Sequence, residues 1–537
     1  MRTVRPFIRL ALGFLVLALA LGACDLTASR TMTPAPSATA SAPPIPAVDA
    51  DYLYDQFAAL STRFIHREAG FDTDLPPDKN GHDEFAAYWT QEMQRNLDGF
   101  GAQVRQDSFA IPGWRGRPAV KPAVNVEVSV PGLTHPEQAV IIGCHYDGEA
   151  ESTESAFDDT SGCAIELAVA RAMGQYWRAQ HHYPARTLRF VMFDAEESGI
   201  YGSWHYVNQT INGDLSQITA MINEEQNGIA YPLRFLGKAG NQLLPFYVDA
   251  APVTSNGAYP GQSALPQAQR DAIQRFRTQL SPAVSAAFAD LRAGGYTSLD
   301  YRGADGKAVS QPVFTPDQRG NAFVQDDNLA NSDEIAFTLA GIPCATFTGN
   351  YTYYFRREPQ PAWSYPYDQP EDTLALMNVY ASGHTTKSPA LALALALPAM
   401  LTVELLRQPE TLGDIAADNN PLVALADVGP TLAGKAIALD ASGSLDPARG
   451  GGGDLTYTWD FGDGAKADGA TASHTYATPG TYTLTLTVRS PSGTRQVHKT
   501  LTVTTSAPYY PNPHDGNPPS GYPGSNPNVH LPTPEPG

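Results

Sequence analysis

The chain of 537 residues has few cysteines, few charged side chains and a deficit of positive charge. Four cysteines are too few to form a disulfide framework for a chain of this length. Charged residues make up 17% of the composition, and 35 Lys and Arg stand against 55 Asp and Glu, so the formal net charge is -20. This excess of negative charge argues against nucleic acid or an anionic membrane surface as the main partner. The length leaves room for a large domain and at least one smaller one.

The N-terminal residues follow the pattern of an export signal. Three arginines among the first nine residues precede an apolar stretch that ends in Leu21-Gly-Ala-Cys24. This segment resembles a bacterial lipoprotein signal, whose cysteine is lipidated and becomes the first residue of the mature protein. The alternative is an ordinary secretory signal cleaved nearby. We expect a signal over residues 1–24, a lipid anchor at Cys24, and export in either case.

The other cysteines, Cys144, Cys163 and Cys344, allow at most one intramolecular disulfide and leave at least one thiol. Cys144 and Cys344 lie in apolar stretches, which favours small buried hydrophobic residues. We assign none of the three to catalysis.

Composition predicts the domain organisation. Residues 25–50 contain Thr, Ala, Pro and Ser with few large apolar side chains, so we expect a disordered tether. Residues 51–410 alternate short apolar stretches with helical patterns such as Gly162–Trp177. This alternation predicts an α/β fold, a layered α/β/α domain with a mixed, mostly parallel central sheet.

Two stretches of this domain need separate interpretation. Pro389–Leu406 is rich in Ala and Leu, but Pro398 and Glu404 interrupt it, which favours a core helix over a transmembrane one. The region between Gly228 and Asn331 contains a helical pattern and a polar segment. This region forms either a cap over the functional site or a surface insertion with no part in that site.

The C-terminal part changes to Thr, Val, Gly and Asp, with strand patterns between turns. The stretches Tyr457-Thr-Trp-Asp-Phe-Gly-Asp-Gly464 and Pro479-Gly-Thr-Tyr-Thr-Leu-Thr-Leu-Thr-Val488 closely resemble a polycystic-kidney-disease-type (PKD-type) domain, an immunoglobulin-like β-sandwich. The resemblance covers residues 421–505 and implies a spacer or stabiliser, or a module that binds carbohydrate or protein. Residues 506–537 are rich in Pro, Gly and Asn and are expected to be disordered.

Two adjacent acids, Glu196 and Glu197, follow the apolar stretch Leu188–Phe193. Parallel α/β sheets carry their chemistry outside the carboxyl ends of such strands. One of two carboxylates at this position can coordinate a metal while the other handles a proton. A solvated loop or a helix cap is the alternative.

A second group of polar residues follows the apolar strand that ends at Cys144. His145 and Asp147 are two residues apart, which places both on one face of a strand. That arrangement suits an imidazole ligand whose second nitrogen is held by a carboxylate. Asp158 and Asp159 then precede a predicted helix, where Asp159 suits a helix cap and Asp158 is available to bridge two cations.

Together these motifs resemble the signature of the co-catalytic dizinc aminopeptidases related to bacterial leucyl aminopeptidase and aminopeptidase Y. The resemblance runs from about Tyr52 to Arg407. It implies an enzyme that removes N-terminal residues from peptides and holds two divalent metal ions, zinc in the first place, with manganese or cobalt as alternatives. The matching motifs are His145-x-Asp147, Asp158 with Ser161-Gly162, Glu196-Glu197 with Gly199, Asn331-Ser-Asp-Glu-Ile-Ala-Phe337, and Gly341-Ile-Pro343.

The resemblance also implies a role for each residue. His145 binds the first metal and Asp147 orients it, Asp158 bridges both metals, and Glu197 binds the second. Glu196 and Asp147 are the expected catalytic residues. Glu196 is the general base that takes a proton from the bridging water and delivers it to the leaving amine.

Two positions depart from the family pattern. In Ile222-Asn-Glu-Glu-Gln-Asn-Gly228, Glu225 takes the place of an aspartate as third ligand of the first metal. In Tyr367-Asp-Gln-Pro-Glu-Asp-Thr373, Asp368 takes the place of the last histidine ligand. Four carboxylates and one imidazole carry one more negative charge than the usual set, which favours harder ions such as Mn²⁺. His384 is a possible substitute ligand but is interpreted as a surface residue.

Two other functions are weighed against the peptidase. A glutaminyl cyclase-like enzyme would use one zinc, but the presence of both His145 and Glu225 favours a peptidase. A non-catalytic binding protein at the cell surface would not need Glu196. We therefore expect a metallo-aminopeptidase with peptide or protein substrates, located outside the cytoplasm and either lipid-anchored or secreted.

Overall fold

A computed structural model describes residues 46–71, 81–113, 116–229, 231–232, 243–244, 247–252, 265–295, 298–302, 308–312, 324–327, 332–349, 365–451 and 453–510. The predicted signal, the anchor at Cys24, most of the tether and most of the C-terminal tail lie outside the described residues. Parts of the region between Gly228 and Asn331 also lie outside them.

The first part of the described chain is built on a mixed β-sheet. Eight of its strands form one sheet in the order β1-β2-β5-β3-β6-β13-β9-β12, and the central four, β5, β3, β6 and β13, are parallel. This arrangement confirms the predicted layered α/β fold with a mixed, mostly parallel sheet. The strands are β1 (Gln103–Phe109), β2 (Ala123–Val130), β3 (His135–His145), β4 (His182–Pro184), β5 (Arg186–Phe193), β6 (Ile218–Glu225), β7 (Tyr231–Pro232), β8 (Leu243–Leu244), β9 (Tyr247–Ala250), β10 (Ser298–Arg302), β11 (Ala308–Pro312), β12 (Val324–Asp326) and β13 (Cys344–Thr348).

Helices cover both faces of this sheet. Alternate residues of β3 point to opposite faces, so Val140 and Ile142 join one hydrophobic core and Ala139 and Ile141 join the other. Helices α1, α2, α3, α7 and α8 contribute to the first core, and α4 and α6 to the second. The helices are α1 (Ala50–Arg63), α2 (His82–Asn96), α3 (Ser161–Gln180), α4 (Tyr201–His205), α5 (Gln267–Ala293), α6 (Glu334–Leu339), α7 (Leu374–Ser382) and α8 (Pro389–Leu406).

Helix α8 is the predicted core helix. Among the described residues it is the one helix long and apolar enough to cross a membrane, and 89% of its 18 residues are buried inside the protein. It is apolar on all sides because helices and sheet surround it. Helix α5 packs against it, and Arg277 Nη1 of α5 donates to the carbonyls of Ala250 (2.9 Å) and Ala251 (2.8 Å). Helix α5 therefore packs onto the body of the domain, and the choice between a cap and a surface insertion stays a prediction for this region.

The C-terminal part is a β-sandwich, as predicted. Strand β14 pairs with β4 of the first part, β15 pairs with β18, and the other four form a sheet in the order β17-β16-β19-β20. Its core surrounds the buried Trp459. The strands are β14 (Asp414–Ala416), β15 (Ala436–Asp440), β16 (Thr456–Asp460), β17 (Lys466–Asp468), β18 (Thr471–Thr475), β19 (Gly480–Ser490) and β20 (Gly493–Val503).

A buried charge cluster joins the sandwich to the sheet. Asp427 of the sandwich lies with its Oδ2 2.6 Å from Arg189 Nη1 and its Oδ1 2.7 Å from Arg189 Nη2. Arg105 Nη1 lies 3.5 Å from the same carboxylate, and Lys499 Nζ lies 3.8 Å from it. We name Asp427, Arg189, Arg105 and Lys499 the interface cluster.

Two predicted domain boundaries need correction. Residues up to 50 were expected to be a disordered tether, but Val48 and Ala50 are buried. The tail was expected to be disordered from residue 506, but Tyr510 N donates to Asn208 Oδ1 (2.9 Å) and Asn212 Nδ2 donates to the Pro508 carbonyl (2.7 Å). Composition does not reveal such contacts, because the partners lie about three hundred residues away in the chain.

Cys144 and Cys344 were both expected to be small buried hydrophobic residues, and this is correct for Cys344 alone. Cys344 is buried and free, as expected. Cys144 forms a disulfide with Cys163, with Cα atoms 5.4 Å apart, so its interpretation as a small hydrophobic residue is wrong. The disulfide joins the end of β3 to the first turn of α3, two elements that the fold brings together.

Candidate metal centre

The predicted site residues lie at the carboxyl ends of the central strands. His145 is the last residue of β3, and Glu225 is the last residue of β6. Glu196 and Glu197 follow the end of β5 in a short loop. Because these strands are parallel and adjacent, their carboxyl ends meet at one edge of the sheet.

One group of possible ligands combines an imidazole with two carboxylates. His145 Nε2 lies 3.0 Å from Asp158 Oδ1 and 3.7 Å from Glu225 Oε1, and all three residues are buried. One potential ligand atom from each of the three lies within 4.8 Å of the others. We call this the imidazole group.

A second group contains carboxylates alone. Ligand atoms of Asp158, Glu197 and Asp368 also lie within 4.8 Å of one another, so Asp158 belongs to both groups. Asp368 has a left-handed backbone with φ of 59°, a conformation that aspartate tolerates, and its Oδ1 is buried without a hydrogen-bond partner. We call this the carboxylate group. The structure thus brings together all five predicted ligands, while His384 is exposed.

Asp147 connects the two strand ends. Its Oδ1 accepts a hydrogen bond from Glu196 N (3.1 Å) and its Oδ2 accepts one from Glu197 N (3.3 Å). The same Oδ1 lies 3.5 Å from His145 Nδ1. Strand β3 ends at His145, so strand periodicity does not explain this proximity. Asp147 instead fixes the backbone of both acids while facing the imidazole.

Several supporting residues were not predicted. Ser332 Oγ donates to Glu225 Oε2 (2.6 Å), and Gln226 Nε2 donates to Asp158 Oδ2 (2.8 Å). The Asp372 carboxylate accepts from the backbone N–H groups of Phe157 (2.9 Å) and Asp158 (3.2 Å). Ser332 and Asp372 lie beside or within the motifs that carried the family resemblance, so closer attention to those motifs could have found them.

Arg67 holds the loop between β3 and α3. Its guanidinium is buried and donates to the carbonyls of Tyr146 (2.7 Å), Phe64 (3.0 Å) and Glu154 (2.9 Å) and to Thr160 Oγ1 (2.8 Å). Burial lowers the pKa of Arg67 to about 10, although nearby carboxylates oppose this. No sequence motif marks this arginine.

The acids of the site have raised pKa values. Burial raises the pKa of Glu197 and of Asp368 well above the usual range. Neighbouring carboxylates raise the pKa of each acid further. Burial likewise raises the pKa of Glu196 well above its usual value, against the opposing effect of His145. Concentrated buried anions of this kind suit divalent cations, which neutralise them. The residues present therefore fit a metal centre.

A buried ion pair supports the loop that carries Glu196. His82 Nε2 lies 2.9 Å from Asp194 Oδ1, and Asp194 Oδ2 accepts a hydrogen bond from Val124 N (2.7 Å). His82 Nδ1 lies 2.8 Å from Asp83 Oδ1. Burial lowers the pKa of His82, but the carboxylates of Asp194 and Asp83 outweigh this and raise the pKa to about 9.

This ion pair predicts a loss of stability in alkaline solution. The folded-state pKa of about 9 exceeds the ordinary value of 6.5, so the charged imidazole stabilises the fold fully below pH 6.5 and loses this effect as the pH rises through 9. We expect urea unfolding to show a fall of about 2–3 kcal/mol in the free energy of unfolding across this range. The His82→Gln variant should lack this part of the pH dependence. Identical pH profiles for both proteins would contradict the prediction.

Comparison with known families identifies both domains. Residues 125–301 match the model of peptidase family M28, and residues 419–505 match the model of the PKD domain. The chain carries a peptidase family M28 domain and a PKD domain. Both resemblances noted in the sequence are thereby confirmed. The M28 match includes four of the five clustered ligands, and Asp368 lies beyond it.

Known relatives match only parts of this chain. Vacuolar protein sorting-associated protein 70 of Saccharomyces cerevisiae is 41% identical over 88 residues, which cover 16% of this chain and 10% of that protein. A glutamate carboxypeptidase 2 homolog of Caenorhabditis briggsae is 25% identical over 255 residues, 47% of this chain and 27% of that protein. The matches thus span about a tenth to a quarter of these relatives. The solved structure of a zinc aminopeptidase from Bacillus subtilis has a TM-score of 0.42 and 14% identity, covering 68% of this chain and 96% of that one.

Proposed function

We propose that this protein is an exported metallo-aminopeptidase that hydrolyses N-terminal residues from peptides. The observation that carries the proposal is the pair of ligand groups that share Asp158 beside Glu196. A carboxylate shared by two ligand groups can bridge two cations, and a second carboxylate beside them can act as the base in hydrolysis. The arrangement at the carboxyl ends of the central strands supports the proposal for these reasons.

The proposed ligands follow from the two groups. His145, Asp158 and Glu225 hold one divalent cation, and Asp158, Glu197 and Asp368 hold the other. Imidazole and carboxylate are both zinc ligands, so zinc is the first choice, with manganese or cobalt as alternatives. When bound, such cations polarise the scissile carbonyl and lower the pKa of a water molecule.

Glu196 is the proposed general base. Its backbone N–H donates a hydrogen bond to Asp147 Oδ1 (3.1 Å), which fixes the loop that carries the carboxylate. It receives a proton from the attacking water and passes it to the nitrogen of the leaving amine. Asp147 acts as a positioning residue, because it holds the Glu196 loop and faces the imidazole of His145.

Export is part of the proposal. The Cys144–Cys163 disulfide supports an oxidising compartment, since disulfides are rare in the cytosol. The PKD domain is also consistent with a location outside the cytoplasm. We propose anchoring through lipid at Cys24, with secretion as the alternative. Binding of carbohydrate or protein by the PKD domain stays a prediction.

The test of the proposed function is the Glu196→Gln variant. Loss of the base should lower kcat on amino-acid 4-nitroanilides about 10²–10⁴-fold, while the metal content stays that of the wild type. Glu84→Gln, at an exposed acid of α2, is the matched control and should retain activity. Equal turnover by wild type and Glu196→Gln would contradict the base assignment.

Other results would favour the alternatives. Cyclisation of peptides that begin with glutamine, without release of N-terminal residues, would favour a glutaminyl cyclase-like enzyme. Purified protein that binds no metal and turns over no substrate would favour a binding protein on a peptidase scaffold.

A further inference from the structure

We propose that the two metal positions are not equivalent. The imidazole group takes zinc, and the carboxylate group takes a harder divalent cation, of which Mn²⁺ is the representative. The inference rests on the proposed function, because it concerns the same centre. It rests on three observations: the donor atoms, the fixation of the ligands, and the balance of charge.

The donor atoms differ between the groups. The imidazole group offers a ring nitrogen from His145 with two carboxylates, a set that suits zinc. The carboxylate group offers oxygen atoms alone, from Asp158, Glu197 and Asp368. All-oxygen sites suit magnesium, calcium and manganese, and they lack the nitrogen or sulfur donors that favour zinc. The preference for zinc over manganese should therefore be weaker in the carboxylate group.

The ligands of the imidazole group are fixed more firmly. Glu225 is held by the hydrogen bond from Ser332 (2.6 Å), and His145 ends a central strand with Asp147 3.5 Å from its other nitrogen. In the carboxylate group, Asp368 lies in a turn outside helices and strands. Zinc favours a tetrahedral set with nitrogen or sulfur donors, whereas octahedral oxygen sets are typical of magnesium, calcium and manganese.

The negative charge around the two groups also favours a hard divalent cation in the carboxylate group. The two groups together contain four carboxylates, so their four negative charges are neutralised by two divalent cations. The buried Glu149 adds a further negative charge near Glu197 and Asp368. Hard cations bind mainly through such electrostatic attraction to oxygen, so this environment retains them.

Competition between the metals tests the proposal. Metal-free protein is dialysed against two equivalents of zinc and a large excess of Mn²⁺, and bound metal is then measured by mass spectrometry and by the paramagnetic signal of Mn²⁺. We expect the wild type to retain zinc and manganese in a ratio near one to one. Asp368→His supplies a nitrogen donor, and histidine also tolerates the left-handed backbone at this position. This variant should bind two zinc ions and lose most of the Mn²⁺ signal.

The outcomes separate this inference from the proposed function. If the wild type retains two zinc ions and the same metal content as Asp368→His, the positions are equivalent and the inference is overturned, while an active peptidase still supports the function. Two manganese ions in the wild type would also overturn it, because the imidazole group would then not select zinc. Failure to bind any metal would overturn both. Asp418→His, at an exposed position just before the PKD domain, controls for a new histidine elsewhere and should match the wild type.

Discussion

Replacing Asp427 by alanine is expected to lower the free energy of unfolding by about 3–5 kcal/mol. The carboxylate is only 2% exposed and is the shared partner of Arg189 and Lys499, whose side chains are 6% and 2% exposed. Its removal takes a buried counter-charge away from both cations, which costs far more than an exposed ion pair contributes. Urea unfolding followed by intrinsic fluorescence measures the change.

A matched control lies just before the PKD domain. Asp418 also pairs with an arginine, Arg495 (2.7 Å), but its side chain is 41% exposed. Asp418→Ala should therefore cost less than about 1 kcal/mol. Asp427→Asn keeps the shape and removes the charge, so it should reproduce most of the loss seen with alanine. If Asp427→Ala and Asp418→Ala cost the same, the interface cluster does not fix the PKD domain to the M28 domain.

Replacing Arg67 by methionine should have an effect on stability of similar size, at least about 3 kcal/mol, and should also reduce metal binding. Methionine preserves much of the volume but removes the donors to the Tyr146, Phe64 and Glu154 carbonyls. These buried carbonyls would lose their partners at a free-energy cost. They belong in part to the loop between β3 and α3, which carries Asp158. The readouts are urea unfolding and the metal content after dialysis.

Two variants make this prediction specific. Arg95→Met changes an arginine of α2 that is 61% exposed, and it should leave both readouts unchanged. Arg67→Lys keeps the positive charge but replaces the planar guanidinium by a compact ammonium group. It should therefore recover only part of the stability that Arg67→Met loses. Full stability and full metal content in Arg67→Met would show that the arginine does not organise the loop.

Much of the fold could be predicted from local patterns. The α2 helix (His82–Asn96) carries Phe85, Trp89 and Met93 at four-residue spacing, and this local pattern is that of a helix that buries one face. Helix α8 was expected over the residues it occupies, since its proline and glutamate argued against a membrane span. The order of the strands in the sheet was not predictable in the same way. It depends on pairings between residues far apart in the chain, such as β13 beside β6.

The candidate ligands were predictable because metal-binding chemistry restricts them to a few residue types. His145, Asp158, Glu197, Glu225 and Asp368 stand in recognisable motifs, and the structure brings them together in two groups. The residues that hold them were mostly missed. Arg67 bonds to backbone carbonyls, which every residue type provides, so its partners leave no trace in the sequence. The disulfide partner of Cys144 could not be chosen from the sequence either, because it depends on where the loop returns.

The sequence by itself determined the class of fold, the two domains and the residue types that could hold metal, because periodicity and short motifs are local properties of a chain. Only the tertiary structure decided that Ser332 holds Glu225 and Gln226 holds Asp158, that Arg67 supports the loop between β3 and α3, and that Asp427 pairs with Arg189 of the sheet. These are contacts between distant segments. Their existence depends on packing and burial, which bring the segments together only once the chain has folded.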